Sequence, residues 1–457
     1  MTPRSTRSSA FSSSQTISIN DLPNELLVQI FDSVPSSYHE QCKAFSAIAS
    51  VNRLFHSIIT PLLYCHFQDC CAKHLQLFGR TVLSNKDRAE LIKYYEGRRD
   101  GFIFNSPPSG CPRVWNDFAL DHALEAAVVK RLPDLPSPIT RTVFAFALAC
   151  ICPSLQRVDV TNAGNLLIKQ LSGSVPHAIT PLQQIRTLSI AIEPDRAYRL
   201  DALSLLFMLP SLQALTIDMA AFNDKEELSF QSIERFWQCH SRSSAIRDLT
   251  LERCGLPAIW IAEMIASCQA LRRFQLEHYY WDNDANYYPC IFQALTLHEG
   301  TLFDVRMNEL NGCKLVSARH IDPSQPISFQ HFTSLTHLDI PLFSFCTRTH
   351  HCAIDQLLPH SLQILTVDLR SAREGFSDSF FISLAEASSS HLTKLKSMEV
   401  ICRIEEYRED GYLPLHFCHL RRMFASYGIE LVYFLEFVQC EFKAGICISW
   451  YYSQHNI

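Results

Sequence analysis

One six-residue pattern recurs through the later part of this 457-residue chain. Apolar residues occupy its first, fourth and sixth positions, and mostly polar residues occupy the positions between them. Nine copies of the pattern begin at Leu155, Ile185, Leu212, Ile246, Leu271, Leu302, Leu335, Leu362 and Leu395. Nine matches at a pitch of about 30 residues are difficult to obtain by chance, so the chain is expected to contain a structural repeat.

Apolar helical stretches precede several of these hexads. They are Val143–Ile151, Leu203–Leu209, Ile259–Ala266 and Ile354–Leu358. Pro or a small polar residue then ends the helix, and the next apolar residue starts a strand. This order predicts an α/β fold, an irregular leucine-rich repeat solenoid with parallel strands on the concave face and helices outside.

A shorter amphipathic region precedes the repeats. Its first predicted helix carries an apolar stripe formed by Leu22, Leu26, Leu27, Ile30 and Phe31. Asp21 is a candidate cap for this helix, and Pro23 fits its first turn. A second helix is predicted from about residue 41 to residue 59, with Pro61 ending it. Three short helices cannot bury all of this apolar surface alone, so we expect a partner helix bundle to cover part of it.

The same region, about residues 17–67, resembles the F-box in the form common in fungal proteins. The resemblance rests on Leu-Pro-x-Glu-Leu-Leu-x-x-Ile-Phe from Leu22, Ile-x-x-Val-Asn-Arg-x-Phe from Ile48 and Pro-x-Leu-Tyr from Pro61, in that order. It implies docking to the Skp-type adaptor of a Skp–cullin–F-box ubiquitin ligase. By position, the implied adaptor-binding residues are Leu22, Pro23, Leu26, Ile30, Phe31, Ile48, Val51 and Phe55. One departure is Phe55, where many F-boxes carry Trp.

Strand alternation sends the hexad apolar residues into the core and the intervening residues to the concave face. At the third, fifth and seventh positions of the repeats, which alternation places on that face, nine acidic residues accompany three basic ones. The acidic candidates for substrate binding are Asp159, Asp218, Asp248, Glu252, Glu277, Asp304, Asp339 and Asp368. They predict a negative trough that favours a protein substrate with a basic segment. Chance, together with ordinary solvation of a sheet face, is the alternative interpretation.

The predicted domain order has five parts. They are a disordered Ser-rich tail over residues 1–16, the F-box-like module over 17–67, a helical linker with early irregular repeats over 68–149, the solenoid over 150–415 and a C-terminal cap with two strands over 416–457. The Tyr-rich insertion between Glu277 and Leu297 is expected to form a loop at the rim of the solenoid.

Composition and motifs argue against several functions. A net charge of −6 with no run of Lys or Arg gives no reason to expect nucleic acid. No apolar stretch approaches the ~18 residues that cross a bilayer. The chain has 13 Gly residues and none of the common nucleotide, hydrolase or metalloprotease motifs, so no catalytic residue, cofactor or metal site is predicted. Eighteen scattered Cys residues without a secretory signal indicate free thiols in the cytoplasm or nucleus.

The F-box resemblance, with the repeats behind it, implies a non-catalytic substrate-recognition subunit of a ubiquitin ligase. Its expected partners are the Skp-type adaptor, the cullin ligase and a protein substrate. The alternative is a leucine-rich interaction scaffold whose first helices only cap the solenoid, with no link to a ligase.

Overall fold

A single sheet runs through the computed structural model. The structure describes residues 19, 22–33, 38–68, 72–97, 121–132, 139–160, 180–192, 200–219, 237–278, 287–309, 327–341, 357–368, 378–405, 416–443 and 446–454. Within these residues thirteen strands form one sheet, and each strand pairs with its neighbours in sequence. The first twelve strands are parallel, and the last is antiparallel to the twelfth. The architecture is a solenoid-like α/β fold.

The elements follow one another along the chain. The strands are β1 (His66–Gln68), β2 (Tyr94–Glu96), β3 (Arg157–Val160), β4 (Thr187–Ile192), β5 (Ala214–Met219), β6 (Asp248–Cys254), β7 (Arg273–His278), β8 (Asp304–Glu309), β9 (His337–Pro341), β10 (Ile364–Asp368), β11 (Ser397–Glu405), β12 (Glu430–Lys443) and β13 (Ile446–Gln454). The helices are α1 (Asn24–Asp32), α2 (Tyr38–Ala49), α3 (Arg53–Cys65), α4 (Ala72–Ser84), α5 (Lys86–Leu91), α6 (His122–Arg131), α7 (Arg141–Ile151), α8 (Leu200–Phe207), α9 (Ala258–Ser267), α10 (Tyr287–Leu295), α11 (Asp378–Ser390) and α12 (His416–Ser426).

All nine hexads form strands, β3 to β11, so this prediction is confirmed. Their fourth and sixth residues stack in register as two buried apolar rows. The first row includes Val158, Leu188, Leu215, Leu249, Phe274, Val305, Leu338, Leu365 and Met398. The second includes Val160, Ile190, Ile217, Leu251, Leu276, Met307, Ile340, Val367 and Val400. Burying each large side chain contributes about 1.5–3 kcal/mol, and the helices share this core.

The backbone just before each strand forms a second regular ladder. The carbonyl oxygen of Arg247 accepts two hydrogen bonds from the next strand, from the N–H groups of Arg272 at 2.7 Å and Arg273 at 3.0 Å. Gln213 makes the same forked contact with Arg247 and Asp248, at 2.7 and 3.0 Å. The fork repeats from the carbonyl of Lys93, just before β2, to the carbonyl of Gln363, just before β10. It holds neighbouring strands in a fixed register at the edge where they begin.

The N-terminal helical module, α1 to α3, has a core of its own. Its buried residues are Leu27, Phe31, Phe45, Phe55, Ile58 and Ile59. The prediction of one long helix from residue 41 to residue 59 is wrong, because residues 50–52 are not helical and separate α2 from α3. Asn52 caps α3 there, and its side-chain oxygen accepts a hydrogen bond from the Phe55 N–H at 2.8 Å.

Two further predictions on local structure are wrong. Pro61 lies inside α3 instead of ending it. The following Leu62 and Leu63 pack against the module core, which offsets the backbone hydrogen bond that Pro cannot make. Tyr287 and Tyr288, predicted for a rim loop, begin α10 and are buried against His278, with ring centroids 4.7 and 5.6 Å from the imidazole. Residues 279–286 of the predicted loop lie outside the described residues.

The sheet extends at both ends beyond the nine hexad strands. The ladder already begins at His66, since β1 and β2 fall within or beside the predicted linker. At the other end α12 leads into β12 and β13, the two strands predicted for the cap, and β12 also extends the parallel ladder. The predicted tail over 1–16 and Asp21 lie outside the described residues, as does most of the predicted helix 354–358.

The burial of His278 predicts that the stability of the fold depends on pH. Burial lowers its pKa to about 4, from an ordinary value near 6.5. As pH falls, His278 is therefore protonated at a higher pH in the unfolded chain than in the folded protein. The contribution of neutral, buried His278 to the free energy of unfolding is complete above about pH 6.5 and is lost as pH falls towards about pH 4.

We expect His278→Phe, which keeps a ring beside Tyr287, to weaken this dependence. Between pH 7.5 and 5.0 the wild-type free energy of unfolding in urea should fall by about 2 kcal/mol more than that of the variant. Equal falls in the two proteins would contradict the assignment.

Candidate partner-binding surfaces

The helical module exposes large apolar side chains that its own core leaves uncovered. Leu26 and Ile30 are 46% and 44% exposed and lie one helical turn apart on α1. Val51, in the turn between α2 and α3, is 66% exposed. Exposed apolar residues grouped in a module this small are typical of a protein-binding surface.

The other predicted adaptor-binding residues differ in how far they are buried. Pro23 is exposed, and Leu22 and Ile48 are half-buried. Phe31 and Phe55 are buried and pack edge to face, with ring centroids 5.6 Å apart. These two rings therefore shape the module from inside and present no free surface.

The module continues into the sheet without a break. Cys65 ends α3 and His66 begins β1, so no linker residue separates helix from strand. The Lys93 N–H donates to the Cys65 carbonyl at 2.9 Å. Arg88 donates to the Tyr64 hydroxyl at 2.8 Å, and its guanidinium lies 4.9 Å from the Tyr64 ring centroid. These contacts attach the last helix of the module to the first repeat.

The predicted acidic residues lie on the open face of the sheet, opposite the core, but several are not accessible. Asp159, Asp218 and Asp304 are only 8%, 6% and 4% exposed. The half-buried members are Asp248, Glu252, Glu277 and Asp339. The side chain of Asp368 lies outside the description.

Asp304 lies at the centre of a charge network on the open face. Arg306 donates to both of its carboxylate oxygens, at 3.0 and 3.1 Å. Arg273 lies 3.5 Å from Asp304 and 3.8 Å from Asp248. The hydrogen bond with Asp304, followed by the nearby negative charges, raises the pKa of Arg306 above its usual value. The middle of the predicted negative trough is therefore largely neutralised by arginines.

Asp218 has a different partner, which the hexad pattern did not indicate. Arg253 of the neighbouring strand donates to it through both Nε, at 2.7 Å, and Nη2. Arg253 has a φ of 48°, in the left-handed region, where the register between β6 and β7 shifts. The bulge turns the guanidinium towards Asp218 at a cost in backbone strain.

The described residues contain no metal-binding cluster, and several of their thiols are buried. No group of three His, Cys, Asp or Glu side chains among them is placed to hold a metal ion. Burial raises the pKa of the Cys150, Cys152 and Cys254 thiols to about 12, so they remain protonated and unreactive. No helix in the same parts of the chain has the length and apolar character needed to cross a membrane.

Comparison of the sequence with models of known protein families and with curated proteins found no match.

The strain at Arg253 gives a prediction. Arg253→Ala and Arg253→Gly both remove the ion pair with Asp218, but only Gly accepts the left-handed backbone without a steric cost. We expect the Gly variant to be more stable than the Ala variant by about 1 kcal/mol, measured as the free energy of unfolding in urea.

The same two substitutions at Arg273 are the matched control. Arg273 begins a regular strand, so Ala should there be more stable than Gly by about 0.5–1 kcal/mol. The same order of stability at both positions would contradict the strain at Arg253.

Proposed function

We propose that this chain is the substrate-recognition subunit of a Skp–cullin–F-box ubiquitin ligase, acting in the cytoplasm or nucleus. In this proposal α1 to α3 are an F-box that docks the Skp-type adaptor. The sheet and its helices are an irregular leucine-rich repeat solenoid whose concave face binds the protein substrate. The subunit itself is not an enzyme, and it contributes proximity between substrate and catalytic subunits.

The observation that carries the proposal is the exposed apolar surface of the helical module. Leu26, Ile30 and Val51 match positions that the F-box resemblance assigns to adaptor contact, and all three are more than 40% exposed. The module has its own core, so these side chains are not needed to hold it together. Phe31 and Phe55, assigned to the adaptor by the same resemblance, would act by supporting this surface from beneath.

The substrate surface in this proposal is the open face. Half-buried Asp248, Glu252 and Glu277 remain candidates for contact with a basic segment of the substrate. Asp218 and Asp304 would instead position neighbouring arginines, since both are buried and ion-paired.

A second candidate function is a repeat scaffold without a ligase. The direct passage from Cys65 to His66 and the Arg88 contact with Tyr64 favour it, because capping helices of a solenoid attach in this way. The two functions differ in whether the module binds the adaptor.

Pull-down of the purified chain with a purified Skp-type adaptor separates them. We expect Leu26→Glu/Ile30→Glu/Val51→Glu to reduce adaptor binding by at least about tenfold, since covering each side chain contributes on the order of 1 kcal/mol. The control carries Glu at Met208, Leu297 and Ile382, which are 54%, 43% and 40% exposed elsewhere. It should bind as the wild type does.

Two outcomes would count against the ligase proposal. A wild-type chain that does not bind the adaptor would favour the scaffold. A control variant that loses binding as strongly as the module variant would show that the apolar residues of the module are not the docking surface.

A further inference from the structure

A row of basic side chains runs along the edge where the strands begin. The residues immediately before the parallel strands β1 to β12 are Cys65, Lys93, Gln156, Arg186, Gln213, Arg247, Arg272, Phe303, Thr336, Gln363, Lys396 and Ile429. Five of these twelve described positions are basic and none is acidic. We call Lys93, Arg186, Arg247, Arg272 and Lys396 the basic row.

The forked backbone ladder aligns the basic row. Arg186, Arg247 and Arg272 each have a carbonyl that accepts two N–H groups from the next strand, so their Cα atoms follow one line across the sheet. Neighbouring strands are about 4.8 Å apart. Lys93, Arg186 and Arg247 lie before every second strand, which places successive cations about 10 Å apart. Arg272 follows on the very next strand.

These side chains are exposed and uncommitted within the described structure. All five are exposed, and none makes a side-chain hydrogen bond or ion pair with another described residue. Three arginines deeper on the open face, Arg253, Arg273 and Arg306, differ because each is paired with a carboxylate. The basic row is thus a line of charge that no described side chain neutralises, on a protein whose net charge is −6.

We propose that the basic row binds an extended acidic segment of a partner polypeptide, running across the strands. A chain in the extended polyproline II conformation has three residues per turn and rises about 3.1 Å per residue, so acidic residues at every third position share one face and would meet a cation about every 9–10 Å. The neutral Gln156 and Gln213 lie between the cations and offer amides to the intervening backbone. This proposal does not depend on the link to a ubiquitin ligase.

An acidic peptide fits this surface better than a nucleic acid. The row is a single line, and beyond it on the open face lie the half-buried carboxylates of Asp339 and Glu399. A polyphosphate chain wide enough to cover several rows would meet these carboxylates. A narrow peptide would not.

Fluorescence anisotropy of the full chain tests the proposal. The probe is a labelled peptide of about twelve residues with Glu at every third position and Ser between. We expect Arg186→Glu/Arg247→Glu/Arg272→Glu to weaken its binding about tenfold or more. Higher salt should also weaken wild-type binding, because exposed charges are screened. The milder Arg186→Gln/Arg247→Gln/Arg272→Gln variant should show a smaller loss in the same direction.

A matched variant controls for net charge. Lys130→Glu/Arg421→Glu/Arg422→Glu changes the charge by the same amount at exposed positions on α6 and α12. It should bind the peptide within twofold of wild type. An equal loss in this control, unchanged binding in the row variants, or tighter binding of a single-stranded oligonucleotide than of the peptide would overturn the proposal.

Discussion

The register of the parallel ladder determines where every other side chain of the sheet lies. Two buried apolar rows hold this register from the core side, and the forked carbonyls hold it at the edge where the strands begin. A slip of one residue would carry Leu249 and Leu251 to the open face and expose apolar surface along a whole strand. The rows of charged residues keep their positions only because this slip is so unfavourable.

The regular part of the fold was readable from the sequence because each strand obeys the same local rule. Apolar residues two apart on a strand must share a face, and nine repeats of the rule leave little freedom. The irregular parts depend on single contacts that no periodicity encodes. Asn52 caps α3 in the middle of an amphipathic stretch, and Tyr287 is buried with its ring stacked on His278.

The sequence predicts more of some candidate surfaces than of others. The helical spacing of Leu26 and Ile30 correctly placed them on one face, but the inward turn of Phe31 and Phe55 depends on how three helices pack. Counting acids indicated a negative face, whereas the bulge at Arg253 and the network around Asp304 neutralise part of it. Four members of the basic row are the second residue of a hexad, which is not among the third, fifth and seventh positions that alternation assigned to the open face, and the ladder shows that they form one line.

The strictly sequential order of the strands has a consequence for synthesis. Every described strand pairs only with the strands immediately before and after it, so each new repeat that leaves the ribosome finds its pairing partner already made. Local contacts of this kind favour rapid, progressive assembly. The helical module precedes the sheet and is joined to it at Cys65 and His66. The module can therefore fold first and provide the surface on which β1 forms while the rest of the chain is still being translated.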